Sequence, residues 1–292
     1  MARAHCLHWR SMRIQLLSDL HLERAPDWSP KPLRDIDVLV LAGDIGSYQT
    51  GSWLAGDDFG LRRFSPRAPG APWKRVLYLP GNHEFDSHEY DATYARLRAL
   101  CTELGIEWLD RETIVIGDVR FVGATLWADF DALAASEKSL TLQLKQREKA
   151  FRAANYYLRK YTTLKDGEPV LAEGWREMSL ADQAWLRVAL ERPFDGTTIA
   201  VTHFAPSLRS ADPRYGLVPG TAGFCNSMDD FLPLADLWFH GHLHCCNDYV
   251  VRGQLEGRDW ACRVVANPLG YIAKGEQADF REDLVIEIPA AR

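Results

Sequence analysis

Ile14-Gln15-Leu16-Leu17-Ser18-Asp19-Leu20-His21 is the stretch that decides the fold: a short apolar run stops at a serine and hands on a carboxylate and an imidazole two residues apart. An apolar run of this length bounded by polar residues reads as a buried strand. Met12 and Arg13 ahead of it make a natural strand start. The pattern recurs. Residues 38–41 lead into Ala42-Gly43-Asp44, and residues 76–79 into Pro80-Gly81-Asn82-His83-Glu84. Residues 198–201 lead into Thr202-His203, and residues 237–239 into His240-Gly241-His242-Leu243-His244. Residues 120–124 form a further run. Helical patterns lie between, at residues 90–104 and 180–190, the second opened by Ser179 with Asp182 three residues on in the manner of a capping box. Strands alternating with helices predict an α/β fold.

In an open α/β sheet the C-terminal strand ends share one edge, and ligands bind in the crevice there, so residues distant in sequence can converge. The strand exits here deliver two carboxylates, one amide oxygen and at least four imidazoles. That set is too large for one tetrahedral ion. It suits two ions that share a carboxylate and keep positions open for water and substrate. Imidazole accepts Zn, Fe or Ni, and oxygen donors add Mn to the range. Any one of these motifs is weak by itself, since Gly-Asp after a strand is usually a turn and a lone Asp-x-His is common. Five strand exits that all end in ligand types are not an accident of composition. No Gly-rich loop precedes a Lys in the phosphate-binding pattern of P-loop proteins, so that chemistry is not indicated.

The ordered series Asp19-x-His21, Gly43-Asp44, Gly81-Asn82-His83-Glu84, His203 and Gly241-His242-x-His244 resembles the motif set of the calcineurin-like metallophosphoesterase superfamily. The similarity spans residues 12 to about 271. Val201-Thr202-His203-Phe204-Ala205-Pro206-Ser207 and Asn267-Pro268-Leu269-Gly270-Tyr271 resemble a bacterial branch of it. The resemblance implies two packed mixed β-sheets flanked by helices, a four-layer sandwich, over a single domain of residues 12–292. It implies that Asp19, His21 and His244 hold one divalent ion, that Asn82, His203 and His242 hold a second, and that Asp44 bridges them. His83 would not bind metal; it would face the substrate as the catalytic acid, and imidazole is the side chain suited to proton transfer near neutral pH. Hydrolysis would follow from a hydroxide shared by the ions. Mn, Fe, Zn and Ni all satisfy the donor set. His240 falls outside the motif and reads as packing or as support for a ligand, and Glu84 as a residue that orients a neighbour.

Departures from the pattern narrow the substrate. Protein phosphatases of the superfamily continue the second motif as Gly-Asp-x-x-Asp-Arg-Gly, whereas here it runs Gly43-Asp44-Ile45-Gly46-Ser47-Tyr48, without the arginine. The chain of 292 residues carries 34 Lys plus Arg against 40 Asp plus Glu, so 34 − 40 leaves −6. A nuclease needs a basic footprint, which this charge disfavours. The expected substrate is a small phosphorylated molecule, a mono- or diester. Nuclease activity is the alternative among enzymes, and a non-catalytic protein-binding scaffold the alternative outside them. Arg209 and Arg214, in a long polar segment at 206–233, are candidate substrate-binding residues. Arg62, Arg63 and Arg67 in a second such segment at 46–73 could also hold phosphate, and Trp28, Trp53 and Trp73 beside it could stack on a base, although packing is the ordinary role of such residues.

Residues 135–163 carry Leu140, Leu144, Phe151, Ala154 and Leu158 at helical spacing among many Lys, Arg and Gln, which predicts a long peripheral amphipathic helix inserted in the domain. Residues 1–11 read as an extension outside the fold, and they lack the apolar core of a secretory signal. Six cysteines without a C-x-x-C spacing imply reduced thiols and a cytoplasmic protein. Cys245-Cys246 reads as packing rather than soft-metal ligation. No apolar run is long enough to span a bilayer.

Overall fold

The computed structural model describes residues 11–290. The expected N-terminal extension therefore lies outside the described residues, apart from Ser11. In chain order the strands are β1 (Met12–Leu17), β2 (Ile36–Ala42), β3 (Trp73–Leu79), β4 (Glu107–Trp108), β5 (Glu112–Ile116), β6 (Val119–Ala124), β7 (Leu164–Lys165), β8 (Glu168–Pro169), β9 (Thr197–Thr202), β10 (Leu237–His240), β11 (Asn247–Leu255), β12 (Arg258–Ala266) and β13 (Val285–Ile288). The helices are α1 (Tyr90–Leu104), α2 (Leu140–Leu158) and α3 (Ala172–Leu190).

Two large sheets result. One has the order β13-β1-β2-β3-β4, with β13 antiparallel to β1 and the rest parallel. The other has the order β11-β12-β10-β9-β6-β5; its central strands β12, β10, β9 and β6 are parallel, and an antiparallel strand closes each edge. Alternation along the strands shows how they pack, because successive side chains face opposite sides. Ile14, Leu16, Val38, Val40, Leu77 and Leu79 meet Phe121, Ile199, Val201, Phe239 and Val265 in one buried cluster between the sheets. Their neighbours Leu17, Leu39, Leu41, Val76 and Tyr78 point the other way, to a cluster that includes Leu97 and Cys101 of α1. Val122, Ala200, Trp238 and Val264 pack on Leu186, Ala189 and Leu190 of α3. The protein is therefore an α/β sandwich of two mixed sheets between helices, as expected.

Three local readings need correction. The helix read at 180–190 begins at Ala172, and Ser179 and Asp182 are not its cap. Both are buried within it: the Ser179 hydroxyl donates to Trp127 O, and Asp182 accepts from the Leu126 amide at 3.0 Å and meets Arg111 at 2.6 Å. The first turn is satisfied from another element, Asn155 Oδ1 accepting the Ala172 amide at 2.8 Å. The peripheral helix is shorter than 135–163, spanning Leu140–Leu158, and Leu140 and Leu144 lie on its open side. The polar segment 206–233 remains a loop that carries short 3-10 turns at Leu208–Ser210 and Pro219–Gly223 and runs into another at Asp229–Leu234. Trp73 is a buried strand residue whose Nε1 donates to Gln15 Oε1 at 2.7 Å, so it is not available to a substrate. Among the described residues no helix is long and apolar enough to cross a membrane.

Candidate metal centre

The parallel strands of both sheets present their C-terminal ends to one region. Backbone hydrogen bonds lace these exits together: the Asp19 amide donates to Gly43 O, His21 to Asp44 O, and Gly241 to His203 O. Close approach of the chains requires missing side chains. A Cβ on Gly81 would lie 2.2 Å from Asp44 Oδ1 and 2.6 Å from the His203 ring, and one on Gly43 would lie 2.4 Å from His203 Nδ1. The two glycines let the second and third motifs and His203 share one small volume.

Three donor clusters form there. The ligand atoms of Asp19, His21 and His244 lie within 4.8 Å of one another, as do those of Asp44, His203 and His242, and those of His21, Asp44 and His83. His21 Nε2 and His244 Nε2 are 2.9 Å apart. His203 Nε2 stands 3.3 Å from Asp44 Oδ2 and 3.2 Å from Asn82 Oδ1. Asp44 belongs to one triad and reaches the other, its Oδ2 lying 4.0 Å from His21 Nε2. The carboxylates are aimed by main-chain amides, His242 donating to Asp19 and His83 to Asp44 Oδ1 at 2.8 Å.

The outward ring nitrogens are engaged as well. His21 Nδ1 is 2.9 Å from Glu23 Oε1, His244 Nδ1 is 2.6 Å from Glu276 Oε2, and His203 Nδ1 is 2.8 Å from Ala42 O. Such partners fix the tautomer and leave the inner nitrogen of each ring as the free donor. Glu23 and Glu276 were not singled out from the sequence. Glu23 could have been found, since it follows His21 by two residues. No local signal marks Glu276, thirty-two positions from its histidine.

Charge and burial decide what the centre can accept. Burial pushes the Asp44 carboxyl up, but the imidazoles of His203, His83 and His21 outweigh it and hold it well below the usual carboxylate range. Asp19 is lowered against the same penalty, by His244 and His203. Burial pulls His203 and His244 down, yet Asp44 and Asp19 raise the first to about 9, and Asp19 and Glu276 raise the second to about 9. The cluster draws positive charge into a buried place. His242 behaves differently: burial first, then the charge of His203, push it to about 3, so it stays a neutral donor. Two buried polar atoms of the cluster, His242 Nε2 and Asp44 Oδ2, have no hydrogen-bond partner. A buried polar atom without a partner is costly, and a cation beside Asp44 and His242 would satisfy both. The donor set, two carboxylates, one amide and four imidazoles, fits a pair of divalent ions.

His83 sits at the margin. Its ring is 4.9 Å from that of His21, and Nδ1 lies 2.6 Å from Asp86 Oδ2 as a close charge contact, which leaves Nε2 facing the centre. Burial lowers its pKa, but Asp86 and Asp44 raise it well above the ordinary histidine value. Glu84 lies beneath. Its carboxylate accepts from the amides of Gly81, Asp44 and Ile45 and from the Tyr78 hydroxyl, fastening the second motif to the third. His240 is buried, with Nε2 2.9 Å from the Ser210 hydroxyl. Phe204 and Phe224 cover His242, at 4.0 and 4.9 Å between ring centroids.

The arginines are already paired. Arg209 donates to Asp229 at 3.1 Å; Arg214 meets Asp212 at 2.6 Å and reaches His244 O at 3.4 Å. Arg62 bonds Glu103, Arg63 the carbonyls of Pro26 and Trp28, and Arg67 those of Thr102 and Glu103. Cys101, Cys225 and Cys262 are buried, Cys245 and Cys246 partly so, and all five are free thiols.

Residues 12–246 match the family model for calcineurin-like phosphoesterases. Comparison with curated proteins finds no match. Among solved structures, the chain is similar to a phosphopantetheinyl hydrolase from Mycobacterium tuberculosis at 20% identity and a TM-score of 0.65, covering 97% of each chain. A dimetal phosphatase from Danio rerio aligns at 14% identity and a TM-score of 0.37, over 90% of this chain and 89% of that one.

Proposed function

Because this chain belongs to the calcineurin-like phosphoesterase family and is thereby a metal-dependent phosphoester hydrolase, we propose that it cleaves phosphate mono- or diesters of small molecules. The observation that carries the reading is that Asp44, which belongs to the triad with His203 and His242, also lies 4.0 Å from His21 of the Asp19–His21–His244 triad, with Asp44 Oδ2 and His242 Nε2 buried and without a hydrogen bond. In this reading Asp19, His21 and His244 hold one divalent ion, Asn82, His203 and His242 the other, and Asp44 both. Two such ions supply charge to phosphoryl oxygens and acidify water at neutral pH.

The chain's own groups do the rest. Glu23, Glu276 and Ala42 O hold three imidazoles by their outer nitrogens so that the inner nitrogens are aimed inward. Glu84 ties the Asp44 amide to that of Gly81, the residue before Asn82. Phe204 and Phe224 keep water from one side of His242. His83, kept protonated beside Asp86, presents Nε2 to the substrate and gives its proton to the leaving oxygen. The balancing of Arg209 and Arg214 by aspartates, with a chain charge of −6, supports a small substrate over a polyanionic duplex. The fold neighbour's name puts a phosphopantetheinyl ester among the substrates to try. We read the described residues as one domain with α2 as a lateral addition.

The test is turnover by the purified protein with Mn, Fe, Zn or Ni on p-nitrophenyl phosphate, its bis-ester, cyclic nucleotides, a phosphopantetheinyl ester and DNA. Small esters are expected to be cleaved and DNA spared. Asp44→Asn is expected to lose metal and activity together, and His83→Ala to keep metal while kcat drops by about 10²–10⁴. A fully active Asp44→Asn protein would contradict the assignment.

A further inference from the structure

A phenol enters the centre from a part of the chain beyond residue 246, where the family match ends. After β12 the segment Asn267-Pro268-Leu269-Gly270-Tyr271 lies along the exit of β1. Asn267 Nδ2 donates to Leu16 O, the Leu269 amide to Ser18 O, and the Gly270 amide to Asp19 O. Gly270 has φ +68°, and a Cβ on it would lie 2.8 Å from Glu276 Cβ and 3.2 Å from His244 Cβ, so the tight turn needs glycine. The Tyr271 amide donates to Glu276 Oε2, the oxygen that also meets His244 Nδ1. One carboxylate therefore places both a candidate ligand and the tyrosine.

The ring of Tyr271 stacks on that of His21 at 4.3 Å and 27°. Stacking alone would need only a phenylalanine. The hydroxyl stands 3.4 Å from His83 Nε2, the nitrogen that Asp86 leaves free. At that spacing two donors side by side can share one acceptor oxygen in front of them, each within ordinary hydrogen-bond reach. The acceptor that the centre brings there is a phosphoryl oxygen of the substrate.

We propose that the Tyr271 hydroxyl contacts the substrate, donating a hydrogen bond to a phosphoryl oxygen beside His83. The proposal rests on the phosphoesterase reading and adds a residue to it. A preorganised donor aimed at developing charge contributes on the order of 10²-fold to turnover.

Tyr271→Phe keeps the stack on His21 and removes only the hydroxyl. Metal content by elemental analysis should be unchanged. Inorganic phosphate, titrated calorimetrically into the metal-loaded proteins, should bind the variant about tenfold more weakly, and kcat/KM on bis-p-nitrophenyl phosphate should fall about 10²-fold. Equal phosphate affinity and equal turnover in the two proteins overturns the proposal, and so does loss of metal from the variant, which would make the residue a support for His21. A wild-type protein that binds phosphate but cleaves no ester refutes the hydrolase reading, while the phosphate titration still decides the role of Tyr271.

Discussion

Asp19, His21, Asp44, His242 and His244 have φ of 52°, 46°, 55°, 72° and 45°, in the left-handed region that side-chain-bearing residues avoid. Each such residue costs on the order of 1–3 kcal/mol and persists where its surroundings hold it. Here the interlocked main-chain bonds of the strand exits do so, and the side chains are turned inward as a result. The ligand types were legible as residues, because Asp-x-His and His-x-His are local patterns. Their strain was not, since φ depends on what the neighbouring strand accepts. The carboxylates behind the imidazoles invite a direct test. Glu23→Gln and Glu276→Gln keep shape and remove charge, and each should weaken metal binding about 10- to 100-fold in a competitive chelator titration. Unaltered affinity in both would show that these carboxylates serve only packing. His240 offers a pH test. Burial pulls its pKa to about 4, from about 6.5 in an unfolded chain. The unfolded state binds the extra proton between those values, so stability is full above pH 6.5 and falls as pH drops toward 4, by up to about 1.4 kcal/mol per pH unit. Urea midpoints at pH 7 and pH 5 should differ less in His240→Gln than in the wild type; an equal difference removes His240 as the cause.

Elements show a different division. Strand runs were readable because the period of two survives in the sequence: Ile14, Leu16 face one core and Leu17 the other. The hairpin of β11 and β12 escaped, as did the edge strands β5 and β13, although Ile114-Val115-Ile116 and Leu284-Val285-Ile286 are apolar runs of the same kind. Helix α3 was misread at its start. Ser179 and Asp182 have capping chemistry, but their polar groups were claimed by Trp127 O, the Leu126 amide and Arg111 from another part of the chain. The stack of Trp127 on Trp175, at 3.9 Å, buries the same stretch. Helix α2 is held at Asp131, which meets Arg147 of α2 at 2.6 Å and Arg176 of α3 at 2.5 Å. All three side chains are about three-quarters or more buried. Asp131→Ala should therefore cost about 1–3 kcal/mol and release α2 to proteolysis. Limited digestion with trypsin checks this, faster cleavage within residues 140–158 being the expected result and unchanged cleavage the contrary one.

At the scale of the molecule, two sheets meet so that the C-terminal ends of β1, β2, β3, β9 and β10 open onto one buried cluster of like and unlike charges. Cations bound only by the folded state add RT ln(1 + [L]/Kd), about 2.7 kcal/mol for each site at a hundredfold excess over Kd. At roughly 2–4 °C per kcal/mol for a chain of this size, chelator treatment should lower the thermal midpoint by about 5 °C or more, and Asp44→Asn should be indifferent to the chelator. A wild-type midpoint that ignores the chelator would argue against resident metal. The amino-acid sequence by itself determined the strand order of the chemistry: which strands end in Asp, Asn or His, and which glycines stand beside them, because those are one-dimensional patterns set by local sterics and period. Only the tertiary structure decided that Glu276 and Tyr271 belong with residues more than thirty or nearly two hundred positions away, that the arginines read as candidate phosphate holders are paired with acidic side chains and carbonyls, and that α2 is pinned to α3. Those facts are contacts between elements, and a contact across space leaves no periodic trace in the chain that makes it.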